Sequence, residues 1–292
     1  MTRSAKWLKL IGELGKIRIA QLVTLSTATG YILASGRLSL DIIISVSGVF
    51  ILALGSGVLN QYQERHKDRL MVRTKSRPIP SGRIKPVAAL LVSLLFLFGG
   101  GGILFWGTNN IAFSLGLLAV FWYNGVYTYL KQLTSWAVIP GSLIGSLPPL
   151  IGWASASGTI LSPQALVLAT FFFIWQIPHF WLLLLHFGDD YAAAGYPSLT
   201  NVLNRKQLGR LTFILIVATA IASVFLPLYG LGQSQIVYIL IFIIAILLIW
   251  NSIYLLRPES AKFSYRPAFK GINLFILLIM FLLTLDRLIK IG

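Results

Sequence analysis

The chain has no cysteine and very few acidic residues. Without cysteine, disulfide bonds, thiolate metal sites and thiol nucleophiles are excluded. Only eight of the 292 residues are Asp or Glu, and charged residues of both signs make up 11% of the chain. So little charge on a chain of this length excludes an ordinary soluble globular domain. Each acidic residue is therefore a candidate for a specific role.

Apolar residues take the place of the missing charge, at 57% of the chain. Nine apolar runs are each long enough to cross about 30 Å of hydrocarbon as a helix. The sequence therefore predicts an all-α polytopic membrane protein. It has an interfacial N-terminal segment at 1–17 and a single intramembrane domain at 18–292. The predicted spans are 18–36, 40–60, 87–106, 110–129, 133–153, 163–186, 211–229, 235–255 and 268–289.

The basic residues lie mainly in the connections on one side of the predicted bundle. With the N-terminus in the cytoplasm, all of the 24 Lys and Arg residues except Arg37, Arg287 and Lys290 fall on the cytoplasmic side. This bias fixes orientation, so we expect the C-terminus outside and the chemistry on the cytoplasmic side. It also explains the net charge of +16 without nucleic acid,. The N-terminus lacks the length and composition of a mitochondrial transit peptide, which favours a bacterial plasma membrane.

The connection after the second span carries the most informative spacing. If the span continues as a helix, Asn60, Glu64 and Asp68 recur at i, i+4 and i+8 and share one face. An amide oxygen and two carboxylates are suitable ligands for Mg²⁺ that also holds substrate phosphates. Basic residues that can bind a diphosphate follow, namely Arg73, Lys75 and Arg77. The alternative is a basic loop that only fixes orientation, with the acids as local ion-pair partners.

A second acidic region follows the sixth span at Asp189 and Asp190. If two halves of the bundle face each other, both acidic regions meet at one end of a cavity, where the carboxylates repel unless a cation is present. Solvated acids that cap a helix are the alternative.

Two further features point to the same cavity, although each has a simpler explanation. His179 lies within the sixth span, one turn after Trp175, and an intramembrane histidine indicates a site; a bond to a neighbouring helix would also explain it. At the end of the fourth span, Tyr127 and Lys131 are one turn apart and could reach a diphosphate. Interfacial anchoring is the alternative for this pair.

The ordered set of motifs is more specific than any one of them. The motifs are Asn60-x-x-x-Glu64-x-x-x-Asp68, MVRTKSRPIPSGRI (71–84), VYTYLK (126–131), PPLIGWASASG (148–158), WQIPHF (175–180) and DDYAAAGYPSL (189–199). In this order they closely resemble the protohaem IX farnesyltransferases, a branch of the UbiA-type intramembrane prenyltransferases. The resemblance runs from about Ile17 to the last span.

The resemblance implies a nine-helix bundle whose central cavity opens to the cytoplasmic side. It implies Mg²⁺ as cofactor, and farnesyl diphosphate and haem B as substrates, with the farnesyl group transferred to a haem vinyl to give haem O. It implies these roles by position: catalysis by Asn60, Glu64, Asp68, Asp189 and Asp190; metal binding by Asn60, Glu64, Asp68 and Asp190; diphosphate binding by Arg73, Lys75, Arg77, Tyr127 and Lys131; and the haem side by Trp175 and His179.

Two departures from the family pattern leave part of this assignment open. Glu64 stands where the superfamily commonly has Asp, and the acids of the second region are adjacent instead of spaced along a turn.

A haem A synthase is a candidate partner that the sequence does not settle. A quinone-precursor or other aromatic prenyltransferase is the nearest alternative function. A membrane transporter or haem carrier is an alternative from a different class.

Overall fold

The computed structural model describes residues 3–257 and 264–289. Within these ranges the regular structure is entirely helical. The α-helices are α1 (Arg3–Leu14), α2 (Ile17–Ser35), α3 (Asp41–Asp68), α4 (Pro86–Gly107), α5 (Asn110–Val120), α6 (Thr128–Leu133), α7 (Val138–Gly141), α8 (Leu143–Ser157), α9 (Pro163–Ala193), α10 (Arg205–Leu228), α11 (Gln235–Ser252) and α12 (Arg266–Ile289). A π-helical turn, Phe121–Tyr127, joins α5 to α6.

Nine helical segments of the described chain are long and apolar enough to cross a membrane, which confirms the predicted fold class. The second span continues as one helix through the Asn60 motif and ends at Asp68. The fifth span begins at Val138, five residues later than predicted, because 134–137 form a turn. The last part of α9 lies beyond its membrane segment, Pro163–Gly188.

The outer surface of the bundle is apolar. Phe98 is 78% exposed, Trp106 is 84% exposed and Trp250 is 75% exposed. In water such a surface would drive aggregation, but in a bilayer it faces hydrocarbon. The chain is therefore a multi-pass membrane protein.

Six membrane segments surround a central cavity and three pack outside them. The cavity is lined from α2, α3, the α5–α6 segment, α8, α9 and α12. None of the lining residues comes from α4, α10 or α11. Helix α4 packs on α3, α10 packs on α9, and α11 packs on α10 and α12. The outer three helices thus support the walls without contributing to the site.

Helices α2 and α8 cross with their backbones in contact. A Cβ atom on Gly30 would lie 2.0 Å from the carbonyl oxygen of Pro149, and one on Gly152 would lie 1.9 Å from that of Thr27. Only glycine fits at these two positions, as at close crossings of other membrane helices. The crossing fixes α2 beside the cavity.

The N-terminal helix α1 is tied to the connection that follows α3. Leu14 is fully buried in a small cluster with Ile79. The carboxylate of Glu13 pairs with Arg83 at 2.6 Å. The amide of Gln61 donates to the carbonyl oxygens of Glu13 and Leu14 at 2.8 Å each. These contacts hold the end of α1 against the motif loop, 69–85.

Helix α9 is broken near its end and not at its proline. Phe187 has φ −121° and ψ 18°, outside the helical region, whereas Pro178 lies within the continuous helix. The break separates the membrane part of α9 from the turn that carries Asp189 and Asp190.

Candidate active site

One cavity of about 880 Å³ occupies the centre of the bundle. Its charged end is formed by α3, the motif loop and the α5–α6 segment. Its interior is apolar and includes Leu52, Ile276 and Met280. A cavity with one polar end suits a ligand with a charged head and an apolar body.

Asn60, Glu64 and Asp68 share one face of α3, as the spacing predicted, and all three line the cavity. They are almost fully buried, at 1%, 5% and 0% exposure. Burying two carboxylates is unfavourable unless cations and hydrogen-bond donors lie against them.

Each of these three side chains contacts a different cation. The pairs are Lys16 Nζ with Asn60 Oδ1 at 2.7 Å, Lys131 Nζ with Glu64 Oε1, and Arg77 Nη1 with both carboxylate oxygens of Asp68 at 2.8 Å. Three basic side chains thus face two carboxylates. The surplus of positive charge favours binding of an anion at this end of the cavity.

Lys16 is a site residue that the sequence reasoning missed. Among the described residues it is the only non-glycine residue with positive φ, at 54°. Strained backbone of this kind concentrates at functional sites. Desolvation at the cavity wall lowers the pKa of Lys16 from 10.5 to about 7, with the charge of Arg77 adding to the effect. The signal in the sequence was a lysine directly after Gly15 at the start of the first span. The predicted boundary between the interfacial segment, 1–17, and the intramembrane domain lies one residue after Lys16. That boundary stays a prediction.

The π-helical turn places two tyrosines on the cavity wall. The rings of Tyr123 and Tyr127 are stacked with centroids 6.1 Å apart, and Phe180 stacks on Tyr127 at 6.1 Å. The Lys131 ammonium lies 5.5 Å from the centre of the Tyr127 ring. Tyr127 and Lys131 therefore do lie together at the cavity. π-Helical turns are rare and often mark functional sites.

Tyr196 is a second residue that the sequence reasoning left without a role. Its hydroxyl donates to Glu64 Oε1 at 3.2 Å, and the Lys131 ammonium lies 5.7 Å from its ring centre. Burial raises the pKa of Tyr196, with Glu64 adding to the effect, so the hydroxyl keeps its proton and remains a donor. The signal was its place in the DDYAAAGYPSL motif.

The second acidic region reaches the site indirectly. Asp190 Oδ2 accepts a hydrogen bond from the backbone N–H of Arg73 at 3.2 Å, and Asp190 does not line the cavity. The side chain of Asp189 lies outside the described residues. In the part of the chain that the structure describes, no three His, Asp or Glu side chains form a metal-binding group. Asp190 is thus joined to the motif loop, and the meeting of both acidic regions at one end of the cavity stays a prediction.

The predicted diphosphate residues divide into two groups. Arg73, Arg77, Tyr127 and Lys131 line the cavity. Lys75 is exposed and does not line it. The role of Lys75 therefore has no support from its position.

An aromatic wall lies between α9 and α12. The ring of His179 is 5.0 Å from that of Trp175 and 5.2 Å from that of Phe269, and all three residues line the cavity. Trp175 is held by a hydrogen bond from its indole N–H to the carbonyl oxygen of Ile272 at 3.0 Å. Within the described chain, His179 Nδ1 is buried without a hydrogen-bond partner. Such an atom calls for an explanation, and a role at the site is one.

Comparison with known proteins identifies the family. Residues 23–282 match the UbiA prenyltransferase family. The chain belongs to the UbiA prenyltransferase family. This UbiA prenyltransferase is 34% identical to the protohaem IX farnesyltransferase of Oleidesulfovibrio alaskensis, over 98% of this chain and 99% of that protein. It is also 34% identical to the protohaem IX farnesyltransferase of Geobacter sulfurreducens, over 86% and 92% of the two chains. It is thus a prenyltransferase of that branch, and the transporter alternative is set aside.

Solved structures share the fold of this UbiA prenyltransferase. A structure of digeranylgeranylglyceryl phosphate synthase matches with a TM-score of 0.76 at 19% identity, over 97% of this chain and 99% of that one. A UbiA homologue from Archaeoglobus fulgidus bound to GPP and Mg²⁺ matches with a TM-score of 0.71 at 14% identity, over 94% and 98%. These likenesses establish the UbiA bundle.

The charged end of this UbiA prenyltransferase fits a divalent cation together with a diphosphate. Asn60, Glu64 and Asp68 offer the hard oxygen donors that Mg²⁺ prefers, on one buried helix face. The cations that now contact them are the residue types that bind diphosphate oxygens. Both halves of such a site are therefore present around one end of the cavity.

Proposed function

We propose that this enzyme transfers the farnesyl group of farnesyl diphosphate to a vinyl group of haem B, in a Mg²⁺-dependent reaction that gives haem O. The names of the two relatives suggest these substrates. The observation that supports them most is that one cavity joins the charged end to the aromatic wall of His179. Its volume, about 880 Å³, lies near the upper end of the range for ligand sites, as two large substrates require,.

The donor binds at the charged end. Asn60, Glu64 and Asp68 would hold Mg²⁺, which when bound acts as a Lewis acid on the diphosphate. Lys16, Arg77 and Lys131 contact the diphosphate oxygens. The α3 side chains already gather these cations at this end of the cavity, so the positive charge that stabilises the leaving group is present before the substrate binds,.

The reacting carbon lies at the aromatic surface beside this end. When the allylic C–O bond breaks, its electron pair leaves with the diphosphate and C1 of the farnesyl group becomes positive. The ring faces of Tyr123 and Tyr127 border this region and can stabilise a cation,. The farnesyl chain occupies the apolar interior near Ile276 and Met280, which limits capture of the carbocation by water.

The acceptor binds along the aromatic wall. A porphyrin is flat and apolar on both faces, so it packs against the rings of Trp175 and Phe269, and His179 supplies a polar atom at the same wall. The π electrons of a vinyl group form the new C–C bond to C1 of the farnesyl group. Water then adds to the remaining vinyl carbon and a proton is lost, which yields the hydroxyethylfarnesyl substituent.

The orientation follows from the charged loops. We place the charged end in the cytoplasm of a bacterial plasma membrane, where the ionic head of farnesyl diphosphate reaches the motif loop from water. Docking of a haem A synthase stays a prediction.

An assay of the purified protein tests this function. Haem B, farnesyl diphosphate and Mg²⁺ are incubated with the enzyme, and the pigments are analysed by chromatography and mass spectrometry. We expect a haem that has gained a farnesyl group and a hydroxyl group. We expect Asp68→Asn to lower kcat/KM by about 10²-fold or more, because it removes charge beside Arg77 and the metal. Lys206→Gln, a charge change at an exposed position on α10 outside the cavity, is a control and keeps full activity.

Two results would contradict the proposal. If haem is unchanged and a phenolic acceptor is prenylated instead, the protein is still a prenyltransferase, but the assignment of haem B as its acceptor is wrong. Full haem prenylation by Asp68→Asn would overturn the assignment of the donor site. Size-exclusion profiles of both variants must match the wild type, so that loss of folding is not mistaken for loss of chemistry.

A further inference from the structure

One cation that lines the cavity has neither an ion pair nor a ring contact within the described chain. Five basic residues of the described chain line the cavity, namely Lys16, Arg73, Arg77, Lys131 and Lys270. Three of them contact Asn60, Glu64 or Asp68, as described above. The guanidinium of Arg73 lies 5.2 Å from the centre of the Phe187 ring. Lys270 alone forms neither an ion pair nor a ring contact with any described residue.

Lys270 lies at the rim of the cavity beside the aromatic wall. It is exposed and also lines the cavity, so it is at the opening. It is in the second turn of α12, next to Phe269, whose ring contacts His179. Asn273, three residues further along the same helix, also lines the cavity. Helix α12 packs on α2, α9 and α11, so Lys270 belongs to the wall that we assign to the acceptor.

We propose that Lys270 binds a carboxylate of the acceptor and thereby sets the direction in which the acceptor enters the cavity. This inference rests on the proposed function. Haem B carries two propionate carboxylates on one edge of the macrocycle, and its vinyl groups lie toward the other edge. With a propionate held at the rim by Lys270, the macrocycle lies along the Trp175 and Phe269 rings. Its vinyl edge then points inward, toward the farnesyl chain.

The position of Lys270 suits this role better than a role at the diphosphate. A rim ammonium remains hydrated and can pair with a carboxylate that also remains partly in water, so no full desolvation is required. The interaction is correspondingly modest, and we expect it to contribute about three- to tenfold to haem affinity. Its main effect is on orientation, because carboxylates are present on only one edge of the acceptor. Snorkelling of the lysine to the membrane interface is the competing explanation.

Titration with haem B and with its dimethyl ester tests the proposal. The ester keeps the macrocycle, iron and vinyl groups but lacks the carboxylates. Binding to purified protein is followed by the haem absorbance and by quenching of tryptophan fluorescence. Both ligands partition into detergent, so the measured quantity is the affinity ratio between them, compared among variants. The variants are Lys270→Gln, Lys270→Arg and the control Lys206→Gln.

We expect the wild type and Lys206→Gln to bind haem B about three- to tenfold more tightly than the ester. Lys270→Gln should bind both ligands equally, with the affinity that the wild type has for the ester. Lys270→Arg should retain the preference, since it keeps the charge. The KM for farnesyl diphosphate should be the same in all four proteins.

Two results would overturn the proposal without affecting the proposed function. One is an unchanged preference for the carboxylates in Lys270→Gln. The other is a raised KM for farnesyl diphosphate in Lys270→Gln, which would move the lysine to the donor end. Failure of the proposed function is a separate result, in which the wild type binds neither porphyrin and yields no prenylated haem.

Discussion

The pairing of each α3 side chain with its own cation explains how acids are retained inside the membrane domain. A lone carboxylate buried in protein would be strongly unfavourable, and Glu64 and Asp68 are both buried,. Lys131 and Arg77 balance their charges, and Tyr196 adds a hydrogen bond to Glu64. The same contacts hold the cations in position before any substrate arrives.

Lys16 offers a prediction at this scale. Its ammonium contacts Asn60 and lies 5.9 Å from the centre of the Tyr123 ring, so it borders the donor site directly. We expect Lys16→Gln to lower kcat/KM for farnesyl diphosphate by about 10²-fold, as removal of one preorganised donor to a developing anion usually does. Steady-state assays with varied farnesyl diphosphate measure this.

A nearby lysine provides the control for that experiment. Lys9 is exposed on α1 and does not line the cavity, so Lys9→Gln makes the same chemical change away from the site. We expect it to retain wild-type kinetics. Equal loss in the two variants would mean that Lys16 serves only the membrane interface, and its assignment to the site would be wrong.

At the scale of elements, the Asn124 contacts connect the π-helical turn to α3. Its side-chain oxygen accepts from the Ser56 hydroxyl at 2.5 Å, and its amide donates to Gln63 Oε1 at 3.2 Å. Asn124 is buried on the side facing α3, and Tyr123 and Tyr127 line the cavity. The turn therefore places the tyrosines and α3 in a fixed relation.

The crossing of α2 and α8 gives a prediction for this scale. Gly152→Ala places a methyl group against the backbone of Thr27, so the helices must separate, and overpacking of this kind costs about 1–3 kcal/mol,. We expect a lower unfolding temperature in detergent and reduced activity, because α2 carries Lys16 at its start. Thermal unfolding measured by fluorescence tests this.

Gly101 in α4 is the matched position. A Cβ atom there meets no neighbouring atom within 4 Å. Gly101→Ala should therefore be neutral or stabilising by up to about 1 kcal/mol, since alanine favours a helix over glycine. If Gly152→Ala unfolded at the same temperature as Gly101→Ala, the close crossing would not contribute to stability.

The parts of the fold and site that follow from local pattern could be predicted from the sequence. Apolar length fixes the nine spans. Helical period alone places Asn60, Glu64 and Asp68 on one face.

The other half of the site depends on contacts between distant segments: Lys16 is 44 residues from Asn60, and Tyr196 is 132 residues from Glu64. No local pattern reports such contacts. The π-helical turn was also missed, and its Asn124 bonds to Ser56 and Gln63 of α3, which are likewise distant in the sequence.

At the scale of the whole molecule, charge and apolarity divide the bundle along its length. The end that carries the motif loop, Lys131 and Lys270 is basic, and the membrane face is apolar. The connection near 158–162 at the other end has no charged residue. This asymmetry predicts one orientation in the bilayer, with the cavity opening to the cytoplasm.

The absence of cysteine makes that orientation directly testable, because a single introduced thiol has no background. Ser76 is exposed in the motif loop, and Leu161 is 82% exposed in the connection between α8 and α9. In right-side-out membrane vesicles we expect a membrane-impermeant maleimide to label Leu161→Cys at once, and Ser76→Cys only after the membrane is permeabilised. Labelling of Ser76→Cys in sealed vesicles, with Leu161→Cys protected, would reverse the orientation and place the charged end outside. Farnesyl diphosphate would then have to be supplied from that side, so the same two variants decide where the reaction occurs.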